Sequence, residues 1–291
     1  MSDFQDQKNI HYFPGHMKKA LLSLKPFIKI ADVIIEICDA RIPISSRNPL
    51  LSKEVLSNKP RLLILSKTDR ADKDVTSSWV SYFSNEGMLA LSANLKGEKI
   101  ISILSKALEP LVLNKREKEK RNGMKPQPIR LLVLGIPNVG KSTFINNVAS
   151  RKVAIAANRP GVTRSEQWIR LGKDFALLDT PGILPMNYEN LDVAMKLAMV
   201  GSIREEILPV SKIASELVVF LIKNYPDNLL SRYPFLDIKN PNIEEIFSKI
   251  STNRGYLLSK GKPDIDKAEL LLLKDFQNGE LGKISLEKPS C

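Results

Sequence analysis

An α/β fold, a mostly parallel sheet with helices on both faces followed by a small helical domain, is what the sequence predicts, on three observations. Short, continuous, β-branched-rich apolar runs recur through residues 1–200; longer stretches of helix length separate them; beyond residue 200 only helical spacing remains. Parallel strands are covered on both faces and therefore read as unbroken apolar runs rather than as alternation. The runs are Val33–Cys38, Leu62–Leu65, Leu131–Leu134 and Phe175–Leu178, with a weaker one at Met88–Leu91. Their ends carry DARIP, SKTD, GIPNVGKS, DTPG and SAN respectively. Ligands of such sheets bind at the carboxyl ends of the strands, where these polar clusters fall.

Between Met88–Leu91 and Leu131–Leu134 lies NKREKEKRNGMKPQP, residues 114–128, charged and then broken by Gly123 and two prolines. It reads as an exposed connection or a helix end followed by a linker. Segments 203–224, 243–250 and 264–276 carry apolar residues at helical spacing, with breaks at Tyr225–Pro226, Tyr233–Pro234 and Gly261–Pro263. These patterns divide the chain into an α/β domain over 1–200 and a helical domain over 201–291.

Composition sets outer limits. The 291 residues are 43% apolar and 26% charged, as in globular chains. No apolar run is long enough for a membrane span, and MSDFQDQKNI lacks the apolar core of a secretory signal, so a cytoplasmic protein with no membrane partner is expected. Two cysteines, Cys38 and Cys291, exclude a disulfide framework, and with two histidines they leave little for structural zinc. The net charge is +12: residues 1–200 hold 31 Lys and Arg against 19 Asp and Glu, and residues 201–291 hold 13 against 13. A basic surface of this size attracts polyanions, nucleic acid being the commonest; a solvated surface with no such partner is the alternative.

Gly135-Ile-Pro-Asn-Val-Gly140-Lys141-Ser142 fits the phosphate-loop pattern G-x-x-x-x-G-K-[ST] and sits where that pattern belongs, after one strand and before the helix-like stretch Thr143–Ala149. Its backbone amides at Asn138, Val139, Gly140 and Thr143 are expected around phosphate oxygens, with Lys141 on the β/γ-phosphates and the Ser142 hydroxyl on Mg²⁺. The positive end of the helix faces the same anion. Asp179-Thr-Pro-Gly182 follows about 40 residues later. Asp179 there can hold Mg²⁺ through water, and the Gly182 amide can meet a γ-phosphate. Thr163, in Pro160-Gly-Val-Thr163, offers a hydroxyl to the same ion.

Ser66-Lys67-Thr68-Asp69 resembles the GTPase motif N-K-x-D, in which one carboxylate accepts from guanine N1–H and the N2 amine. Asp69 would read the base and the Lys67 stem would cover its face. Ser92-Ala93-Asn94 resembles the partner motif whose backbone N–H meets guanine O6. Both precede the phosphate loop, by about 70 and 45 residues, whereas ordinary small GTPases place them after it. The order is that of a circularly permuted P-loop GTPase domain, which is sterically allowed because domain termini often lie close together.

His11-Tyr-Phe-Pro-Gly-His-Met17, Asp39-Ala-Arg-Ile-Pro43, Ser46-Arg-Asn-Pro49 and the tail Gly261–Glu287 narrow the match. With these motifs the sequence resembles the RbgA/YlqF family of bacterial ribosome-assembly GTPases over essentially its whole length. The resemblance implies GTP as substrate, a role in maturing the large ribosomal subunit, contacts with its precursor and rRNA (ribosomal proteins being further possible partners), and hydrolysis stimulated on the ribosome. It nominates His16 as the residue that helps position water, the alternative being a surface histidine at a helix start. Lys141 and Thr163 complete the expected catalytic set. Asn138 is expected to hold K⁺ beside the phosphates, or else only to shape the loop.

Two departures stand out. Ser66 replaces the family's Asn, and its shorter side chain is expected to lose a hydrogen bond worth ~1 kcal/mol of nucleotide affinity. Ile183 follows DTPG where Ras-like proteins place a water-orienting Gln, so intrinsic hydrolysis should be slow. A non-catalytic, GTP-dependent rRNA-binding scaffold and a signalling GTPase acting on a protein partner are the competing functions.

Overall fold

The computed structural model describes residues 24–47, 59–97, 100–149, 168–171, 173–178, 190–203 and 208–289. Strands β1 (Val33–Asp39), β2 (Arg61–Ser66), β3 (Leu89–Ser92), β4 (Ile129–Leu134), β5 (Trp168–Leu171) and β6 (Phe175–Leu178) form one sheet in the spatial order β3-β2-β1-β4-β6-β5. All pairings are parallel except that of β5 with β6. The apolar runs of the sequence are these strands, with ends shifted by a residue or two. Edge strand β5 has no counterpart in the sequence reading: WIRL is too short and too mixed to form an apolar run, and its pairing with β6 defines it.

Period-two alternation sorts the core onto two faces. Val33, Ile35 and Ile37 of β1 join Leu62, Ile64, Leu131 and Val133 on one face. There Ile100, Leu104 and Leu108 of α2 (Ile100–Leu108) and Phe144 and Val148 of α4 (Lys141–Ala149) cover them. On the other face Ile34, Leu132 and Leu134 lie under Leu24 and Ile28 of the helical stretch 24–30. Cys38, Leu63 and Leu65 lie under Trp79 and Phe83 of α1 (Lys73–Asn85). Helix α1 starts where the Asp72 carboxylate accepts from the Asp74 and Val75 amides. It buries Thr76, Trp79 and Phe83 at helical spacing despite four serines. Glu36 falls between the two apolar patches of this second face; it is 2% exposed and pairs with Arg47 at 3.0 Å.

Residues 114–128 resolve into helix α3 (Leu113–Arg121) and a linker. The linker is held at Gln127, where Arg116 Nη1 bonds both Glu119 and the Gln127 carbonyl at 2.8 Å, and Lys115 of α3 reaches Asp32 at 2.6 Å. No helix among the described residues is long and apolar enough to cross a membrane.

Helices α5 (Leu191–Met199), α6 (Val210–Asn224), α7 (Pro226–Arg232), α8 (Ile243–Asn253) and α9 (Ile265–Asn278) follow the sheet. Pro226, a break in the sequence pattern, starts α7, since proline at the first helical position gives up no hydrogen bond. Residue 200, where the sequence pattern changes, is the C-cap of α5. The apolar core nevertheless runs through it without interruption: Ile213, Leu217 and Leu221 of α6 and Ala268, Leu272 and Phe276 of α9 belong to the same cluster as the α2 and α4 face of the sheet.

Beyond α9 the chain folds back as a strap. The Ile284 amide donates to the Arg70 carbonyl at 3.0 Å and the Leu286 amide to the Arg41 carbonyl at 2.8 Å. The Glu287 carboxylate accepts from the Ile44 amide at 2.8 Å, the Ser45 amide at 3.3 Å and the Ser45 hydroxyl. The Trp79 indole N–H reaches the Glu287 carbonyl at 3.1 Å. Removing a buried carboxylate orphans its donors, at a cost of about 2 kcal/mol. Glu287→Ala should therefore lower unfolding stability by that amount in urea denaturation; a change below about 0.5 kcal/mol would mean that the strap is not held by this side chain.

Candidate nucleotide site

The loops after β2, β3 and β4 leave the sheet at the same edge and enclose a cavity of about 420 Å³. Ser66, Lys67, Asp69 and Arg70 line it from the β2 loop. Asn94, Leu95 and Lys96 contribute from the β3 loop, and Pro137, Asn138 and Gly140 from the β4 loop. Lys141, Ser142 and Thr143 add the first turn of α4. Segments separated by about 70 residues thus face one volume, the inverted order of the motifs notwithstanding.

The β4 loop is shaped by backbone that few residues tolerate. Gly135 has φ +156, and a Cβ there would stand 2.6 Å from the Ile37 carbonyl oxygen. Gly140 has φ +106 and packs on Leu95 and Ser66. Asn138 adopts a left-handed φ of 59, which Asn accepts more readily than most residues. Buried Val139, 0% exposed, turns inward and locks the loop on the core without lining the cavity. Helix α4 begins with the Phe144 amide on the Gly140 carbonyl at 2.8 Å, so its unpaired amides open toward the cavity.

Lys141 Nζ lies 2.8 Å from the Gly135 carbonyl and 2.6 Å from the Ile136 carbonyl. It forms no ion pair with any described carboxylate, and burial pushes its pKa down to about 8. A cation held by neutral carbonyls at the start of a helix is a site prepared for an anion.

At the other end of the cavity, Lys67 adopts φ 56 and its ammonium pairs with Asp39 at 2.9 Å, so its stem crosses the wall. Asp69 is open to the cavity, with Arg70 Nε 3.6 Å from its carboxylate. The Ser66 hydroxyl lies 2.6 Å from the Val139 carbonyl and 2.8 Å from the Cys38 carbonyl, so the shorter side chain still reaches the phosphate loop. The single hydroxyl proton serves one carbonyl at a time, and the shorter contact, to Val139, ties the phosphate loop to the end of β2.

Three expected contacts move. Ser92 stays in the β3 ladder opposite Leu65, and the Ala93 amide is taken by the Leu65 carbonyl at 2.9 Å. With neither residue lining the cavity, Asn94 is the member of that motif turned to it. Thr68 is half-buried outside the lining. Arg70, Leu95 and Lys96 line the cavity beyond the motifs themselves; they lie one or two residues after SKTD and SAN, which is their one signal in the sequence.

His16, Thr163, Asp179 and Gly182 lie outside the described residues, as does Ile183. Of the expected Mg²⁺ set, Ser142 is placed, on the cavity wall at the start of α4. Among the described residues no group of three or more His, Cys, Asp or Glu could hold a metal by itself. The donor set, one hydroxyl beside an anion cradle, suits a Mg²⁺ that arrives with phosphate oxygens.

A polyphosphate beside Lys141 favours its charged form and raises a pKa that burial had lowered. Well below pH 8 the lysine is charged in both states; well above it, the free protein has lost the proton that the complex retains. Binding of GDP or pyrophosphate should therefore take up protons at pH 9 and none through Lys141 at pH 6.5. Calorimetry in two buffers of different ionisation enthalpy reads this directly, and equal proton uptake at the two pH values would remove Lys141 from the binding step.

With this geometry in place, comparisons with known proteins become informative. A family model described as a 50S ribosome-binding GTPase matches residues 130–252, starting at β4 just ahead of the phosphate loop and leaving out the upstream β1–β3 half. Ribosome biogenesis GTPase A of Bacillus cereus is 42% identical over 280 residues, covering 96% of this chain and 94% of the relative. The same-named protein of Bacillus pumilus is 40% identical over 281 residues, covering 96% and 99%. The crystal structure of GNP-bound YlqF from T. maritima superposes with a TM-score of 0.64 at 26% identity, covering 94% of this chain and 99% of that one. An identity above 40% over nearly the full length, on a sheet and cavity of the permuted order, places this chain in the ribosome biogenesis GTPase A family.

Proposed function

We propose that the chain binds GTP in this cavity, hydrolyses it to GDP and phosphate, and serves assembly of the large ribosomal subunit in the cytoplasm. The observation that carries the reading is the single cavity shared by Lys67, Asp69 and the loop Gly135–Ser142. The particle it serves is the precursor of the 50S subunit, bound in a nucleotide-dependent way. The basic surplus of residues 1–200 supports contacts with its rRNA, and ribosomal proteins of the same particle are further partners.

Asp69 confers guanine preference, because adenine presents an acceptor where the carboxylate needs a donor. In hydrolysis the oxygen of water bonds to the γ-phosphorus as the bond from phosphorus to the β–γ bridging oxygen breaks, and the water proton passes to a phosphate oxygen. Lys141 neutralises charge on the β/γ-phosphates, and the α4 amides orient them. Ser142, Thr163 and Asp179 are the residues for Mg²⁺, which when bound neutralises phosphate charge; Gly182 is assigned to the γ-phosphate and His16 to positioning the water. With Ile183 in place of a water-orienting side chain, turnover depends on stimulation by the ribosome. Asn138 has its Nδ2 on the Gly201 carbonyl at 2.8 Å, which leaves the carbonyl end of the amide for K⁺.

The deciding experiment is GTP turnover with and without purified 50S subunits: a rise supports the enzyme, and equal rates would leave a GTP-dependent scaffold. GTP should bind well ahead of ATP, and Asp69→Asn should shift preference toward xanthine nucleotides; equal ATP and GTP affinity for the native sequence would sink the base assignment. Ser66→Ala removes the brace on Val139 and should weaken GDP binding by about 1 kcal/mol, near fivefold, in a fluorescent-nucleotide titration. His16→Ala should spare binding and lower the stimulated rate by ~10²-fold or more. Full stimulated activity in that variant would return His16 to a surface role.

A further inference from the structure

Two arginines flanking the base-reading residues are directed away from the sheet, into helix ends of the C-terminal part. Arg41, fully buried, grips Asp39 with Nε at 2.9 Å and Nη2 at 2.8 Å. Its outer edge points to the Val200 carbonyl at 3.3 Å and the Phe276 carbonyl at 3.5 Å, and its guanidinium lies 5.3 Å from the Phe276 ring centre. Arg70 lies between the Asp69 carboxylate, 3.6 Å from Nε, and the Gln277 carbonyl, which accepts from Nη1. Val200 ends α5, and Phe276 and Gln277 belong to the last turn of α9. The last carbonyls of a helix lack intrahelical partners and carry the negative end of its dipole. Here Arg41 meets the Val200 carbonyl and Arg70 the Gln277 carbonyl, while the Phe276 carbonyl, 3.5 Å from Arg41, also accepts from the Gly279 amide at 3.2 Å.

We propose that Arg41 and Arg70 are positioning residues that couple occupancy of the base site to docking of the helical part, independently of the γ-phosphate. The proposal rests on Lys67 and Asp69 being the base-reading residues. A base stacked on the Lys67 stem fixes the ammonium on Asp39, and Asp39 in turn fixes Arg41. A base held by Asp69 fixes the carboxylate beside Arg70. Each arginine then reaches its helix carbonyls with fewer rotamers left to lose, so nucleotide binding and helix docking favour one another. Reciprocity requires that a seated helical part also tighten base binding by the same factor.

The test is hydrogen exchange on the full chain, free and saturated with GDP, followed in peptides covering residues 196–203 and 270–287. GDP should slow exchange there by about fivefold or more, and a non-hydrolysable GTP analogue should do no more than GDP. In Arg70→Ala and in Arg41→Lys, each at saturating GDP, the nucleotide-dependent slowing should fall below twofold. An arginine with a merely structural role would speed exchange equally in both states and preserve the ratio, which would overturn the proposal. So would native-sequence peptides that respond to the GTP analogue but not to GDP. Arg70, at the surface of the cavity, carries the test alone if Arg41→Lys does not fold. Failure of the native sequence to bind GDP at all would instead refute the nucleotide reading on which the coupling rests.

Discussion

A parallel sheet sends every loop that follows a strand to one edge, and this constraint organises the molecule. Four consecutive strands in the spatial order β2-β1-β4-β6 are paired in parallel, with β3 parallel outside β2. The loops after β2, β3 and β4 must therefore meet in space whatever their order along the chain. Permutation changes which connection crosses the sheet but not which edge receives a strand's end. The base-facing and phosphate-facing residues can thus swap places in sequence while the cavity remains, with β1 paired between β2 and β4, whose following loops line it.

What the sequence made legible is what local chemistry dictates. Apolar runs identified five strands because burial on both faces demands unbroken apolar side chains. The phosphate loop was legible because Gly135 and Gly140 answer backbone constraints that the fold enforces, one of them a Cβ 2.6 Å from the Ile37 carbonyl. The features that escaped depend on distant partners. Glu287 seats its carboxylate on residues more than 240 positions earlier, and no local pattern announces that. Side-chain length alone does not give the reach of the Ser66 hydroxyl, because its distance from the Val139 carbonyl is set by how the phosphate loop packs on β2. The SAN motif is expected to offer a backbone N–H to the base, but the ladder continues one residue past β3 and claims that of Ala93.

The charges buried near the cavity are individually expensive. Asp39 and Arg41 are both withdrawn from water. Burial pushes the Asp39 carboxyl up, yet the Arg41 and Lys67 charges outweigh it and hold it below the usual carboxylate range. Burial also lowers the Lys67 pKa, against the attraction of Asp39. Such a group gains little over well-packed apolar side chains in net stability, while removal of one member leaves the others uncompensated. Its geometric effect is clearer: a guanidinium fork admits only a narrow set of arrangements, and here that set joins the end of β1, the loop after β2 and the ends of two helices.

The connection 122–128 between α3 and β4 has a consequence for how the domain is held in one piece. Its own contacts are few, chiefly Arg116 and Glu119 with Gln127 and Lys115 with the Pro128 carbonyl. The two halves it joins are sewn together elsewhere, by the β1–β4 ladder, by Ser66 on Val139 and by Asn147 Nδ2 on the Leu95 carbonyl at 2.9 Å. The covalent link therefore acts mainly as a tether that sets effective concentration. A single proteolytic nick near Gly123 would turn one domain into a pair of complementing fragments, and nucleotide affinity, insensitive to dilution in the intact chain, would become a property of how often the fragments meet.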